Sequence, residues 1–172
     1  MGKISDITKK IVSIDYELME RAQARLNNLT KPLGSLGRLE ELAKLIVAIT
    51  RQENPEFKNR VIFTFAADHG VAQENVSAYP QEVTAQMVYN FLKGGAGINV
   101  LARHVGVRVV VADVGVASDL EPHPKLIIKK VNYGTKNMTK GPAMTRDEAI
   151  KSIVTGIEIF EDFVKVLAQV LQ

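Results

Sequence analysis

Two aspartates and a histidine stand at the ends of apolar runs in this sequence. Asp68 and His69 follow the run 61–67 (VIFTFAA), and Asp113 follows the run 107–112 (VRVVVA). Carboxylates and an imidazole at one rim could perform acid-base chemistry or bind a metal ion. Aspartates in these positions could equally accept backbone hydrogen bonds and cap loops. The residues alone leave both interpretations open.

The two apolar runs predict the strands that would position these groups. Both runs are rich in β-branched residues, which is typical of parallel strands buried on both faces, and we expect 61–67 to be the central strand. Parallel strands end at the same side of a sheet, where open α/β sheets bind ligands. The sequence therefore predicts that Asp68 and Asp113 meet at that edge and that the function lies in the loop after Asp68.

A helix is predicted after this loop. Pro80 suits its first turn, because proline gives up no needed hydrogen bond there, and Gly94 and Gly95 end it. Three apolar residues one helical turn apart are predicted to form its buried stripe. They are Val83, Met87 and Phe91.

Two helices precede the first strand. Ser13 is a plausible cap for one helix and Ser35 for the next, so residues 1–53 are predicted to form a helical pair. Ser5 is a further plausible cap. Lys31 and Arg38 lie near the start of the second helix, the end that attracts anions. They are either solvated charges beside a turn or part of a phosphate site.

The C-terminal third contains one more strand and a long helix. Leu126 to Val131 predicts a third strand, and Lys129 and Lys130 place it near the sheet edge. Thr145 and Glu148 have the spacing of a capping box that opens the last helix.

That last helix carries two apolar stripes. The first, which we expect to pack on the sheet, contains Ile150, Ile153, Val154, Ile157, Phe160, Val164, Leu167 and Leu171. The second, which we expect to face away from the sheet, contains Ile159, Phe163, Val166 and Val170. A helix apolar over so much of its circumference needs cover on two sides. We therefore predict self-association through the second stripe.

Composition narrows the classes of protein. With 172 residues, 46% of them hydrophobic, the chain predicts a single domain (1–172) with a true core. Its 22 basic and 19 acidic residues are too balanced to indicate a nucleic-acid partner. The N-terminus resembles no signal peptide and no run is long enough to span a membrane, so we expect a cytoplasmic protein. Cysteine is absent, and we predict no bound metal.

Several segments together resemble one enzyme family. They are LTKPLGSLGRLE from Leu29, FAADHGV from Phe65, SAYPQEVTAQMVYNFLKGGAGINVLAR from Ser77, VADVGV from Val111 and GPAMTRDEA from Gly141. Their order and spacing are similar to the N-terminal half of nicotinate-nucleotide:dimethylbenzimidazole phosphoribosyltransferase, an enzyme of cobalamin biosynthesis. The resemblance implies an α/β fold with a Rossmann-like parallel sheet over 60–172, flanking helices and a homodimer.

The resemblance also implies substrates and a site. The family transfers phosphoribosyl from nicotinate mononucleotide to 5,6-dimethylbenzimidazole, giving α-ribazole 5′-phosphate and nicotinate, and needs no cofactor. The positions implied to line or shape the base pocket are Tyr79, Pro80, Gln86, Met87, Asp68, His69 and Gly70.

Two features of the family have no counterpart in this sequence. Family members continue past the helix that begins near Thr145 into a glycine-rich phosphate loop, and near their end they carry the glutamate that acts as general base. We therefore expect a truncated member with no catalytic residue of its own, inactive or nearly so alone. The alternative is a non-catalytic interaction or base-binding protein derived from the family.

Overall fold

The structure is a computed structural model that describes the backbone of residues 2–170 and the side chains of residues 2–165. The helices are α1 (Gly2–Thr8), α2 (Tyr16–Asn27), α3 (Arg38–Thr50), α4 (Glu82–Lys93), α5 (Gly97–His104) and α6 (Arg146–Val170). The strands are β1 (Val61–Ala67), β2 (Arg108–Gly115) and β3 (Leu126–Ile128). Residues 5–58 form one compact unit, and residues 59–170 with residues 2–4 form another. Among residues 2–170, no helix has the length and apolar content needed to cross a bilayer.

The three strands form a parallel sheet in the order β1-β2-β3, which confirms the predicted fold class. The position of β1 is a correction, because it lies at an edge of the described sheet and β2 lies in the middle. Phe65 of β1 is 47% exposed, whereas Val111 and Ala112 of β2 are almost fully buried. An apolar run shows that a strand is covered on its faces, but it does not show whether both edges are paired. The predicted edge position of the third strand is confirmed.

Alternating side chains of the sheet meet different helices. On one face, Ala66 and Val111 join the buried core with Val88 and Leu92 of α4. On the other face, the ring of Phe63 lies 5.3 Å from that of Phe163 in α6. The unit is therefore a sheet between two layers of helix, as expected for this class of fold.

The buried stripe of α4 differs from the predicted one. Val88 is fully buried and Leu92 is 9% exposed, and both pack in the core. The predicted residues Val83 and Met87 line an open cavity instead, and Phe91 lines that cavity while also packing against the core. The helix carries two neighbouring apolar faces, and helical spacing alone does not show which of them meets the sheet.

The faces of α6 differ in part from the prediction, because Ile150, Val154 and Ile157 of the first stripe are half-buried while members of the second stripe are buried as well. Ile159 is 1% exposed and Phe163 packs on Phe63, whereas Phe160 is 55% exposed. The assignment of the second stripe to solvent is therefore wrong for Ile159, which is buried, and for Phe163, which packs against the Phe63 ring of β1. The side chains of Val166 and Val170 lie outside the described residues.

Two isoleucines of α6 test this assignment. Ile159→Ala removes a fully buried side chain and should lower the free energy of unfolding by about 2–5 kcal/mol. Ile153→Ala is the matched control, because Ile153 is 53% exposed, and should change it by less than about 0.5 kcal/mol. Urea denaturation measures both. Equal losses for the two variants would show that the faces are assigned wrongly.

The predicted capping box at the start of α6 is confirmed. The Thr145 N–H donates to Glu148 Oε2 at 2.7 Å, and the Glu148 N–H donates to Thr145 Oγ1 at 3.2 Å. The side-chain amide of Asn132 donates to Glu148 Oε1 at 2.6 Å. The Thr145 N–H and then the Asn132 amide hold the pKa of Glu148 below its ordinary value of 4.5.

This lowered pKa predicts a pH dependence of stability. A carboxylate whose pKa is depressed by folding stabilises the protein above its unfolded pKa, and that contribution disappears as the pH falls through the folded pKa. When the pH is lowered from about 7 to about 3, the free energy of unfolding should therefore fall less for Glu148→Gln than for the unmodified chain. Urea midpoints at the two pH values measure the difference. Identical losses in both proteins would contradict the role given to Glu148.

The helical unit begins its helices at other caps than those predicted. Asp15, not Ser13, caps α2 and accepts the Leu18 N–H at 3.0 Å. Gly37 precedes α3, while Ser35 lies in the turn before it. Ser5 lies inside α1. Several short polar residues precede both α2 and α3, so the sequence pattern alone did not show which residue caps each helix.

The two cations near α3 are both paired with carboxylates. Lys31 Nζ lies 2.7 Å from Oε1 of the buried Glu40, which also accepts the Leu36 N–H at 3.1 Å. Lys31 and then the Leu36 N–H hold the pKa of Glu40 below its ordinary value. Arg38 pairs with Glu41. Lys31 therefore fixes the turn and is not a solvated charge, whereas its part in a phosphate site stays a prediction.

Candidate functional site

The ends of β1 and β2 are joined at the carboxyl edge of the sheet through Asp68. Its N–H donates to the Gly115 carbonyl at 2.9 Å, and its Oδ2 accepts the Ala117 N–H at 2.7 Å. Its carbonyl accepts the Thr135 N–H at 3.0 Å. Asp68 is 4% exposed. The side chain and backbone of one residue thus connect three loops.

Asp113 has a similar role one strand away. It is fully buried, and its Oδ1 accepts the N–H groups of Gly115 at 3.0 Å and Val116 at 2.9 Å. Its Oδ2 lies 2.9 Å from Lys130 Nζ in an ion pair that lacks hydrogen-bond alignment. The prediction that Asp68 and Asp113 share one edge is confirmed by the parallel register. Both carboxylates cap loops, which is the second of the two interpretations of the sequence.

The part of the chain that the structure describes contains no group of side chains that could bind a metal ion. There, no three His, Cys, Asp or Glu side chains are grouped closely enough to hold an ion. His69 is exposed, and its Nδ1 lies 3.4 Å from Thr135 Oγ1. The carbonyl of His69 accepts the side-chain amide of Gln81 at 3.3 Å. This bond ties the strand end to the start of α4.

Gly70 is placed where no side chain fits. Its N–H donates to the Thr135 carbonyl at 2.9 Å, which draws the loop 132–137 against it. A Cβ at this position would lie 2.5 Å from the Asn137 nitrogen and 2.8 Å from the Thr135 oxygen. Both atoms belong to the backbone and cannot turn aside. Glycine at position 70 thus sets the shape of the edge.

Replacement of Gly70 should therefore destabilise the protein. Gly70→Ala forces backbone displacement and should cost about 1–3 kcal/mol of unfolding free energy. Gly156→Ala is the control, since no atom lies within 4 Å of its Cβ position in the middle of α6, and it should stabilise by about 0.5–1 kcal/mol. Denaturant titration of both variants checks the opposite signs. An unchanged midpoint for Gly70→Ala would contradict the close packing of this loop.

A cavity of about 550 Å³ opens beside the carboxyl end of β1. Its wall is mainly apolar and is formed by β1, the loop before α4 and α4 itself. The lining residues are Thr64, Phe65, Ala66, Ala67, Asp68, His69, Val71, Ala72, Val76, Ser77, Tyr79, Pro80, Gln81, Val83, Thr84, Met87, Val88 and Phe91. Polar side chains, among them those of Asp68 and His69, interrupt the apolar wall. Such a lining is typical of small-molecule pockets.

Five of the seven predicted site residues lie on this cavity. They are Asp68, His69, Tyr79, Pro80 and Met87. Gln86 is exposed on α4, and Gly70 is buried behind the wall; neither lines the cavity. The roles of all seven remain predictions.

Sequence reasoning missed several lining residues. Thr84 on α4 and Thr64 on β1 add hydroxyl-bearing residues to the wall. Thr84 lies on the predicted helix, one turn before Val88, so its place beside an apolar stripe could have been seen in the sequence. Thr64 and Phe65 could not be found, because a strand expected to be paired on both sides leaves no room for a cavity beside it.

The rim of the cavity is formed by an ordered turn. The Tyr79 N–H donates to Ser77 Oγ at 3.1 Å, and the Tyr79 side chain is 70% exposed. The ring thus stands at the mouth of the cavity, where it is available to a ligand.

A second cavity of about 480 Å³ lies within the helical unit. It is lined by Leu26 near the end of α2, Leu29 just after that helix, Ile46 of α3 and Phe57. This cavity does not lie at the end of a strand. The tendency of ligands to bind at the carboxyl edge of a sheet therefore gives no reason to expect a ligand in it.

Comparison with known proteins identifies the family. A family model described as phosphoribosyltransferase matches residues 11–172, and the relatives are nicotinate-nucleotide:dimethylbenzimidazole phosphoribosyltransferases. The chain belongs to this family. The enzyme of that name from Geobacter sulfurreducens is 58% identical over 92% of this chain. The one from Geotalea uraniireducens is 57% identical over 91%.

A solved structure shares the fold. The crystal structure of the phosphoribosyltransferase of the same name from Thermus thermophilus matches 84% of this chain with a TM-score of 0.77 and 48% identity. The match covers 44% of that chain, and this chain spans about 45% of the Geobacter sulfurreducens relative. The family resemblance inferred from the sequence is confirmed.

Proposed function

We propose that this chain binds 5,6-dimethylbenzimidazole and forms the base-binding part of a nicotinate-nucleotide:dimethylbenzimidazole phosphoribosyltransferase. The observation that carries this proposal is the apolar cavity at the carboxyl end of β1, with Tyr79 and Met87 on its wall. The names of the close relatives support the choice of ligand.

The chemistry of the wall suits a flat aromatic base. The exposed ring of Tyr79 can stack on a bicyclic arene, and the thioether of Met87 makes favourable contacts with aromatic rings. The volume of about 550 Å³ lies within the range usual for small-molecule sites. The hydroxyls of Thr64 and Thr84 supply hydrogen-bonding groups for the ring nitrogens.

The proposed reaction moves a phosphoribosyl group between two nitrogen bases. A ring nitrogen of dimethylbenzimidazole attacks C1′ of nicotinate mononucleotide, the bond from C1′ to nicotinate breaks, and a general base takes the azole proton. Asp68 Oδ2 and both oxygens of Asp113 already serve loop caps or an ion pair. We assign no general base among the described residues, and we propose that turnover requires groups beyond them.

The setting of the protein is part of the same proposal. We infer a cytoplasmic enzyme that works as a homodimer on nicotinate mononucleotide and the benzimidazole base. The family resemblance supports this inference, and light scattering of the purified chain measures the oligomeric state. A non-catalytic base-binding protein would share the binding properties and would lack turnover even with the remaining part of a relative added.

A charge in the cavity should weaken base binding. Met87→Glu places a carboxylate against the ring and should weaken dimethylbenzimidazole binding at least about tenfold, because an unpaired charge beside an apolar ligand is costly. Met138→Glu is the matched control, since Met138 is 60% exposed and does not line the cavity. Isothermal titration calorimetry measures both affinities. Equal affinities would place the base elsewhere.

An activity assay of the same protein tests whether the general base lies outside the described residues. Incubation with nicotinate mononucleotide and dimethylbenzimidazole should give no or almost no α-ribazole 5′-phosphate. Chromatography detects the product. Clear turnover would show that the described residues do contain the general base.

A further inference from the structure

We propose that a cavity formed by the loop before α6 binds a phosphate-bearing small molecule through Lys136, Lys140 and Arg146. The cavity has a volume of about 670 Å³ and shares no lining residue with the cavity beside β1. The proposal does not depend on whether the cavity beside β1 binds a benzimidazole.

The charge of the lining distinguishes this cavity. Three of its lining residues, Lys136, Lys140 and Arg146, are cations, and none is a carboxylate. The lining of the cavity beside β1 is different, because it contains Asp68 and no lysine or arginine. Like charges that converge on one concave surface repel one another and attract a counter-ion. The lining therefore favours an anionic ligand.

The start of α6 adds to this charge. Arg146 is the first residue of a helix of 25 residues, and the N-terminus of a helix carries a partial positive charge. The first turn also contains Asp147 and Glu148, neither of which lines the cavity. The helix thus supports the three cationic side chains and is not itself the basis of the site.

The loop that carries the two lysines is held in a fixed shape. The Lys136 N–H donates to the Ala143 carbonyl at 2.7 Å and closes the loop. Within it, the Lys140 N–H donates to the Asn137 carbonyl at 3.1 Å, and Asn137 Oδ1 accepts the Thr139 N–H at 3.0 Å. A preformed loop loses less conformational entropy on binding a ligand than a mobile loop does. The backbone that carries both lysines therefore has a defined shape before any ligand binds.

Two glutamates near the loop are already engaged. Glu74 Oε1 accepts the side-chain amide of the buried Asn137 at 2.6 Å and the Thr139 hydroxyl at 3.3 Å. Lys140 Nζ lies 3.8 Å from the same oxygen, and 69% of the lysine side chain is exposed, so this ion pair contributes little. Glu148 is held by the capping box of α6. Neither glutamate lines the cavity, so neither takes the place of an anionic ligand.

Other lining residues indicate that the ligand has an organic part. Pro142 and Met144 lie in sequence between Lys140 and Arg146 and also line the cavity. The volume of about 670 Å³ is in the range usual for small organic ligands and exceeds what a bare phosphate ion needs. Lysine and arginine bind phosphate through charge-assisted hydrogen bonds, and arginine can form two in parallel. The ligand class that fits is therefore a phosphate monoester.

A titration followed by NMR tests the proposal. Proton–nitrogen correlation spectra of the protein are recorded with increasing concentrations of sodium phosphate at constant ionic strength. We expect saturable shifts of backbone amides in residues 136–146. Ribose 5-phosphate should cause these shifts at lower concentrations than phosphate does, and ribose, which lacks the phosphate, should cause none.

Two double variants of equal charge test the residues. Lys136→Gln with Arg146→Gln should raise the dissociation constant of ribose 5-phosphate at least about tenfold, because charge-assisted hydrogen bonds are lost. Lys93→Gln with Lys125→Gln removes the same charge from two exposed residues that do not line the cavity. This control should keep the dissociation constant within about twofold of that of the unmodified protein, because salt screens distant charges. Circular dichroism checks that both variants fold.

Several results would overturn the proposal. One is the absence of saturable shifts in residues 136–146 of the unmodified protein, and another is a set of shifts confined to the cavity beside β1. Equal losses of affinity in the two double variants would show that overall charge, and not this cavity, attracts the anion. Equal affinities for phosphate and ribose 5-phosphate would contradict an organic ligand. Dimethylbenzimidazole is absent from every sample, so failure of the proposed base binding leaves these results unaffected.

Discussion

The hydrogen bonds of Asp68 hold together the part of the molecule on which the candidate site depends. One buried residue donates to Gly115, accepts from Ala117 through its carboxylate and accepts from Thr135 through its carbonyl. A buried carboxylate needs such partners, because leaving it unsatisfied would cost more than the bonds contribute. The ends of β1 and β2 and the loop 132–137 are thereby fixed, and the cavity wall next to them has a defined shape.

The second constraint is that β1 has a neighbour on one side only among the described strands. In open α/β sheets, ligands bind at carboxyl ends where the order of strands changes direction. The cavity lies at the carboxyl end of β1, beside the edge that no described strand occupies, with α4 on one side of the strand and α6 on the other. In the function we propose, this site at the border of the described sheet is the base pocket, and the remaining groups of the reaction centre lie outside the described residues.

Strands, helices and the shared edge of Asp68 and Asp113 could be predicted, because each follows from a local pattern of apolar residues and the residue that ends it. The faces of α4 and α6 could not. Each helix has two apolar stripes, and the choice between Met87 and Val88, or between Phe160 and Ile159, depends on the shape of the sheet opposite. The open edge of β1 was likewise invisible, since pairing is decided by the rest of the chain. Tyr79, Pro80 and Met87 came from family resemblance.

A crystal structure of this protein soaked with 5,6-dimethylbenzimidazole tests the assignment of the base pocket most directly. We predict the ring between the edge of β1 and α4, in contact with Tyr79 and Met87. Density for the ring in the helical unit instead, against Leu26, Ile46 and Phe57, would contradict this and would show that the cavity at the sheet edge is not the base pocket.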